Sequence, residues 1–189
     1  MADTHGPRFR SPVRATIDGA PLSVTDHTDS AKVVVRAAAD GATAQALGVR
    51  FARARRVTRA DGSEWLVVGS RPGEWMVFAG RDQVASIRGE LPADPAATVV
   101  DLTHGRALLR VAGALSARLL AGLCNVDLSD DMTPDLAAFS GSVAGVMCDL
   151  VRDDMAGERS YLICVDRSYG GWLAEVLVDA ATRIRQHER

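Results

Sequence analysis

The sequence predicts an α+β fold, a mostly antiparallel sheet with helices packed on one face, and three observations carry that expectation. From residue 99 onward the apolar pattern runs strand, strand, helix, strand, strand, helix. Two strand-like runs, Glu64–Val68 and Glu74–Phe78, are joined by Gly69-Ser70-Arg71-Pro72-Gly73, whose Gly and Pro are turn formers. Near the carboxyl end, Trp172, Leu173, Val176, Leu177, Ala180 and Ile184 share one helical face, with Glu175, Asp179 and Arg183 off it.

Taken in order, residues 1–30 are rich in Thr, Asp, Ser, Pro and Gly and read as an extended or flexible arm, leaving 31–189 as a single domain. Val33-Val34-Val35 is a β-branched strand signal, and apolar positions from Leu47 to Val57 alternate with Arg50, Arg53, Arg55 and Arg56, as in strands with one polar face. After the hairpin, a helix is expected from Asp82 to Glu90, ending before Pro92. The Pro/Ala/Asp stretch that follows reads as a loop, with a subdomain join near 91–98. Val99–Leu102 and Ala107–Ala112 read as strands, and Leu115, Leu119, Leu120 and Leu123 fall at helical spacing. Phe139–Leu150 is a glycine-punctuated strand region, Asp153–Gly157 a polar turn with solvated aspartates, and Ser160–Val165 a strand. Ser168 is the expected N-cap of the last helix.

Composition narrows the function classes. With 189 residues, 47% of them apolar, the chain can bury roughly 70% of its unfolded surface without disulfides or metals. A net charge of −2 leaves no electrostatic drive toward nucleic acid. Lys32 is the sole lysine and lies between Ala31 and Val33, so a P-loop is excluded and a lysine Schiff base would have to use this residue. Cys124, Cys148 and Cys164 form no Cys-x-x-Cys pair, and neither a signal peptide nor a membrane-length apolar run is legible, so a reduced, cytoplasmic protein is expected.

Few residues carry chemistry. Ser142 lacks the flanking glycines of a nucleophile elbow, and Gly141 and Gly145 do not make a dinucleotide fingerprint. His104 sits in a turn between strands, where an imidazole serves as acid or base or bonds a carbonyl. Asp149 interrupts an apolar strand, either facing water or accepting hydrogen bonds at a pocket rim. Arg167, with Ser168 and Tyr169, begins the last helix, where free N–H groups and a guanidinium suit an anion or simply cap the helix.

Val100-Asp101-Leu102-Thr103-His104-Gly105-Arg106, followed by Ala107–Gly113, resembles the strand, His turn, strand, Gly pattern of the folate-binding domain shared by the glycine-cleavage T-protein and sarcosine oxidase. Leu119–Leu128 resembles its helix ending near a Cys and an Asp-Leu, and Tyr161–Leu173 its strand, Arg-Ser-aromatic turn and Trp-bearing helix. Ser11-Pro12 and Gly73-Glu74-Trp75-Met76 resemble its early markers, and the pattern is most similar to the gamma subunit of the heterotetrameric oxidase.

This resemblance implies an accessory subunit, with alpha, beta and delta subunits as partners, in a flavoenzyme that oxidatively demethylates sarcosine to glycine. Its other products are hydrogen peroxide and 5,10-methylenetetrahydrofolate. FAD, FMN, NAD and tetrahydrofolate are expected in the complex and none is held by this chain alone; neither nucleic acid nor membrane is a partner. Asp149, Arg167 and His104 are the implied cofactor-facing residues, with no catalytic residue and no metal ligand. Where the T-protein carries tandem carboxylates, this chain has Cys148-Asp149, so the resemblance implies weak folate binding at most. The alternative is a stand-alone enzyme of the same fold acting on a one-carbon unit or another small molecule; a ligand-free homodimeric scaffold is a third reading.

Overall fold

The computed structural model describes residues 9–187. The elements are β1 (Ser23–Asp26), β2 (Ala31–Arg36), α1 (Ala42–Leu47), β3 (Ala54–Thr58), β4 (Glu64–Arg71), β5 (Glu74–Ala79), α2 (Val84–Glu90) and β6 (Thr98–Asp101). The second half continues with β7 (Arg106–Ala112), α3 (Ser116–Ala121), β8 (Ala138–Val143), β9 (Val146–Arg152), β10 (Ser160–Asp166) and α4 (Arg167–His187). The α+β class holds, with two five-stranded sheets in place of one: β1-β7-β10-β9-β8 and β3-β4-β5-β2-β6. Every pairing between named strands is antiparallel.

The sheets lie face to face. Val33, Val35, Val67 and Val77 pack on one side of the second sheet against Ala44 and Leu47 of α1 and Ile87 of α2. Leu109, Val111, Ile163 and Leu150 pack on the first sheet beneath Leu119 of α3 and Leu173 and Leu177 of α4. The alternate residues, Val34, Leu66, Val68, Met76 and Phe78 from one sheet and Leu108, Val151, Leu162 and Cys164 from the other, form a third cluster between them. Each sheet is thus covered by helices on one face and by its twin on the other. Strands buried on both faces read as unbroken apolar runs, which is why β2 and β5 show no period-two alternation.

Several boundaries shift. The expected arm begins folding well before residue 31: Val13 and Leu22 are buried in the first core cluster, and β1 pairs with β7 as an edge strand. Residues 1–8 of that arm lie outside the described residues. The chain passes between sheets at 27–30 and 102–105, whereas 91–97 only connects α2 to β6 within one sheet. Residues 42–47, read in part as strand, form a short helix closed by Gly48 at φ 60°. The glycine-punctuated region is a hairpin whose two loop residues, Ala144 and Gly145, have φ of 50° and 83°, the left-handed conformation that a two-residue hairpin loop requires.

Helix α4 starts at Arg167, so Ser168 lies in its first turn and does not cap it. Its buried face is Leu173, Ala174, Leu177, Ala180 and Ala181, which rotates Trp172 outward to 47% exposure. Gly170 and Gly171 mark where the arm crosses the helix. A Cβ on Gly170 would lie 2.5 Å from the Ala107 Cβ and 3.0 Å from the Pro12 ring, and one on Gly171 would lie 2.9 Å from the Pro12 carbonyl oxygen. Two glycines in a helix are unfavourable by propensity, and here they allow the arm to seat against backbone.

Candidate functional site

His104 is held at the tip of the β6–β7 turn by backbone bonds. Leu102 N–H donates to Lys32 O (2.8 Å), Gly105 N–H to Leu102 O (2.9 Å), and Arg167 N–H to Gly105 O (3.1 Å), which ties the turn to the start of α4. The arm then brings Phe9 between the two predicted residues. Its ring centroid lies 5.4 Å from that of His104, and the Arg167 guanidinium sits 5.2 Å over its face. Arg167 Nη2 donates to the Arg10 carbonyl, and Nη1 is buried with no acceptor among the described residues. Beside them opens a cleft of about 670 Å³ whose lining includes Phe9, Asp29, Arg81, Arg88, Asp101 and His104.

Arg81 is paired with Asp29, and the other polar groups lining the cleft are Asp82, Arg88, Asp101, Thr103 and His104. Burial alone would push the Asp101 carboxyl up, but hydrogen bonds from the Thr103 hydroxyl and N–H, with His104 and Arg88 nearby, hold it below the usual carboxylate range. The cleft offers guanidinium and imidazole groups beside three carboxylates, Asp29, Asp82 and Asp101, of which Asp101 is fixed by Thr103.

Asp149 faces a different space. It lies opposite Cys164 in the sheet register, on the face turned toward the second sheet, and accepts a hydrogen bond from the Ser140 hydroxyl (2.6 Å). Burial drives the Cys164 thiol up to about 12, with the Asp149 charge adding to the effect. The structure therefore joins His104 and Arg167 through Phe9 and leaves Asp149 out of that cleft. Of the three, His104 lines the cleft, Arg167 reaches it through Phe9, and Asp149 lies between the sheets.

Sequence reasoning missed a third constellation. Asp153, expected to be solvated, is buried: Arg56 Nε donates to its Oδ1 (2.8 Å) and Arg110 Nη2 to its Oδ2 (2.7 Å). Arg56 also makes a bidentate pair with Asp135 at 2.9 Å for both bonds, and Arg110 Nη1 donates to Ser160 Oγ (2.6 Å). Arg56, Arg110 and Asp153, with His27, form one end of an inter-sheet pocket of about 230 Å³ whose apolar walls are Trp65, Leu66, Phe78, Leu108 and Leu162. Burial and the Arg110 charge lower the His27 pKa, which favours the neutral ring. The available signal was Arg110, a charge in an otherwise apolar strand that needs a buried counter-ion.

Lys32 is fully buried at the same interface. Its Nζ donates to Thr28 O (2.8 Å) and Ser30 O (2.7 Å), pinning the crossover between sheets, and burial lowers its pKa to about 8. Among the described residues, no group of three or more His, Cys, Asp or Glu side chains is placed to hold a metal ion, and no helix is long and apolar enough to cross a membrane.

With fold and sites in view, comparison with solved structures assigns the architecture to the aminomethyltransferase type. The glycine cleavage system aminomethyltransferase T from Bartonella henselae superposes with a TM-score of 0.65 at 16% identity, covering 88% of this chain and 46% of that one. This chain thus spans about half the length of that protein. A likeness that extends over nearly all of both chains is to heterotetrameric sarcosine oxidase from Corynebacterium sp. U-96, with a TM-score of 0.73, 23% identity, and coverage of 93% of this chain and 95% of the other. No protein-family profile matches the sequence, and no curated protein matches it.

Proposed function

We propose that this chain is an accessory, gamma-type subunit of a sarcosine-oxidase-like heterotetramer, acting in the cytoplasm with alpha, beta and delta partners. The observation that carries this reading is the near-complete mutual coverage with a chain of a heterotetrameric enzyme, 93% and 95%. In such an assembly the larger subunits hold FAD, FMN and NAD and oxidise sarcosine to glycine, with hydrogen peroxide and 5,10-methylenetetrahydrofolate as the further products. This chain contributes packing surface and shape. The separation of Asp149 from His104 and Arg167 supports the same division of labour, since tetrahydrofolate would need a pocket completed by another subunit.

Co-expression with alpha-, beta- and delta-type subunits tests the reading. The expected result is one complex containing this chain with sarcosine-dependent peroxide formation, and no turnover by the chain alone. Robust turnover by the isolated chain would overturn it. The 670 Å³ cleft at His104 favours a second reading, a stand-alone ligand-binding enzyme. Calorimetric titration with tetrahydrofolate separates the two, since micromolar binding that is lost in His104→Ala would favour the enzyme.

A further inference from the structure

Strand β8 is the edge of its sheet, and its outward backbone groups are closed at two points only. Arg152 N–H donates to Ala137 O (2.9 Å), so odd-numbered residues of the strand bond to β9 and even-numbered ones face away from it. Ala138 N–H is taken by Ala52 O (3.2 Å), and Ala144 N–H by Leu123 O (2.7 Å). Between them Ser140 and Ser142, both exposed, turn their backbone N–H and C=O outward, and no protein partner for them exists among the described residues.

The neighbouring chain explains the gap. Residues 52–54 run beside 136–138 as the first rungs of a further strand, with Ala54 N–H donating to Leu136 O (2.7 Å). The chain then swings away to Gly69, where a Cβ would lie 2.2 Å from the Arg50 carbonyl oxygen, so only glycine admits the close approach. The strand position next to β8 is thus started and then vacated.

A groove of about 560 Å³ runs along the vacated edge, floored by Ala138–Ser140 and walled by Phe51, Val126 and Met132. Phe51 is 58% exposed and Met132 is 68% exposed. Arg50 and Arg53, on either side of Phe51, are exposed and make no ion pair among the described residues. An open ladder, apolar walls and two arginines free of ion pairs lie on one edge, where Asp127 is the acidic member of the groove lining.

The geometry points to β8 as a strand-addition site for an extended segment of a partner subunit, carrying an apolar side chain for the Phe51–Met132 groove and an acidic one for Arg53. A second copy of β8 fits less well, because Ala-Phe-Ser-Gly-Ser-Val brings no carboxylate to the arginines. The inference rests on the accessory-subunit reading and names the surface that reading requires.

The test is assembly of the full chain with alpha-, beta- and delta-type subunits, followed by size exclusion with light scattering and by a titration of affinity. Ser142→Pro removes one outward N–H and keeps every bond to β9, as an edge strand tolerates. It is expected to retain the wild-type circular dichroism and to weaken assembly about tenfold. Phe51→Ser is expected to do the same, and Arg53→Glu to weaken assembly and abolish its salt dependence. Should Ser142→Pro misfold, the two exposed side-chain variants decide.

Wild-type affinity in Ser142→Pro and Phe51→Ser would overturn the inference while leaving the accessory-subunit reading intact. Failure of the wild-type chain to join the subunits would defeat that reading and the inference with it. Self-association of the wild type that Ser142→Pro abolishes would assign the edge to a second copy and overturn the proposed occupant.

Discussion

Each sheet presents two buried faces, and the two are built on different principles. The outer faces are largely apolar: Val33, Val35 and Val77 under α1 and α2, and Leu109, Val111 and Ile163 under α3 and α4, with Arg152 opposite Tyr161, paired with Asp130 and Asp154, as a charged exception. The inner faces share an apolar centre around Val68, Met76, Leu108 and Leu162, but charge surrounds it, with Lys32, Arg110, Asp153 and Asp149 all largely withdrawn from water. Apolar contact is non-directional and fixes distance more than register. Ion pairs such as Arg56–Asp153, at 2.8 Å, which joins β3 of one sheet to the residue following β9 of the other, tolerate one geometry, so the inner contact sets how one sheet sits on the other. The helix-covered faces supply bulk stability, and the charged rim supplies orientation.

The largest effect that would break this contrast is at Asp153. Asp153→Ala leaves Arg110, whose side chain is 13% exposed, without its carboxylate, and frees one of the two carboxylates held by Arg56. Removing one partner from a buried pair costs about 3–5 kcal/mol. Urea unfolding should show that loss, with Asp153→Asn intermediate because it still accepts from Arg56 or Arg110. If Asp153→Ala cost less than about 1 kcal/mol, as exposed pairs do, the rim would be ornament to an apolar interface.

How much of this was legible follows the same divide. The apolar runs of β2, β4 and β5 were readable because burial on both faces leaves nothing polar to confuse the pattern. Residues 42–47 were not, since six residues make less than two helical turns and their Ala-rich run is compatible with several conformations. Asp153 was misread because its neighbours Asp154, Met155 and Gly157 carry strong turn chemistry, while its partner Arg56 lies 97 residues away. Asp149 was visible as a polar break in a strand, but its bond to Ser140 depends on hairpin register. That His104 and Arg167 meet depends on Phe9, which the composition of the arm gave no reason to place there.

A smaller effect sharpens the picture of the outer face. Gly170→Ala forces a methyl to within 2.5 Å of Ala107 Cβ on β7, and overpacking of this kind costs about 1–3 kcal/mol, partly offset by the roughly 1 kcal/mol of helix propensity that Ala restores. Gly171→Ala touches only the Pro12 carbonyl, so it should release the arm with little change in melting temperature. Limited trypsin digestion distinguishes them: cleavage after Arg10 and Arg14 should accelerate in Gly171→Ala, and unchanged cleavage would show that the arm is not held by the glycine pair.

Lys32 gives the smallest and most specific test, because its contribution appears only in one pH window. Its native pKa of about 8 lies below the 10.5 of an unfolded lysine. Below pH 8 the amine is charged in both states and the unfavourable burial of that charge is fully present. Between pH 8 and 9 the native state releases a proton that the unfolded state retains, so stability rises by at most about 1.4 kcal/mol per pH unit. Above pH 9 the slope reverses, since Cys148 and Cys164, held at about 12 by burial, keep protons that unfolded thiols with a pKa of 9.0 lose. Wild-type urea midpoints should therefore climb from pH 8 to a maximum near pH 9 and then decline, whereas Lys32→Met should lose the climb and keep the decline. Parallel profiles for the two proteins would mean that the amine reaches solvent, and the inner face would then be wetter than its 0% exposure at Lys32 implies.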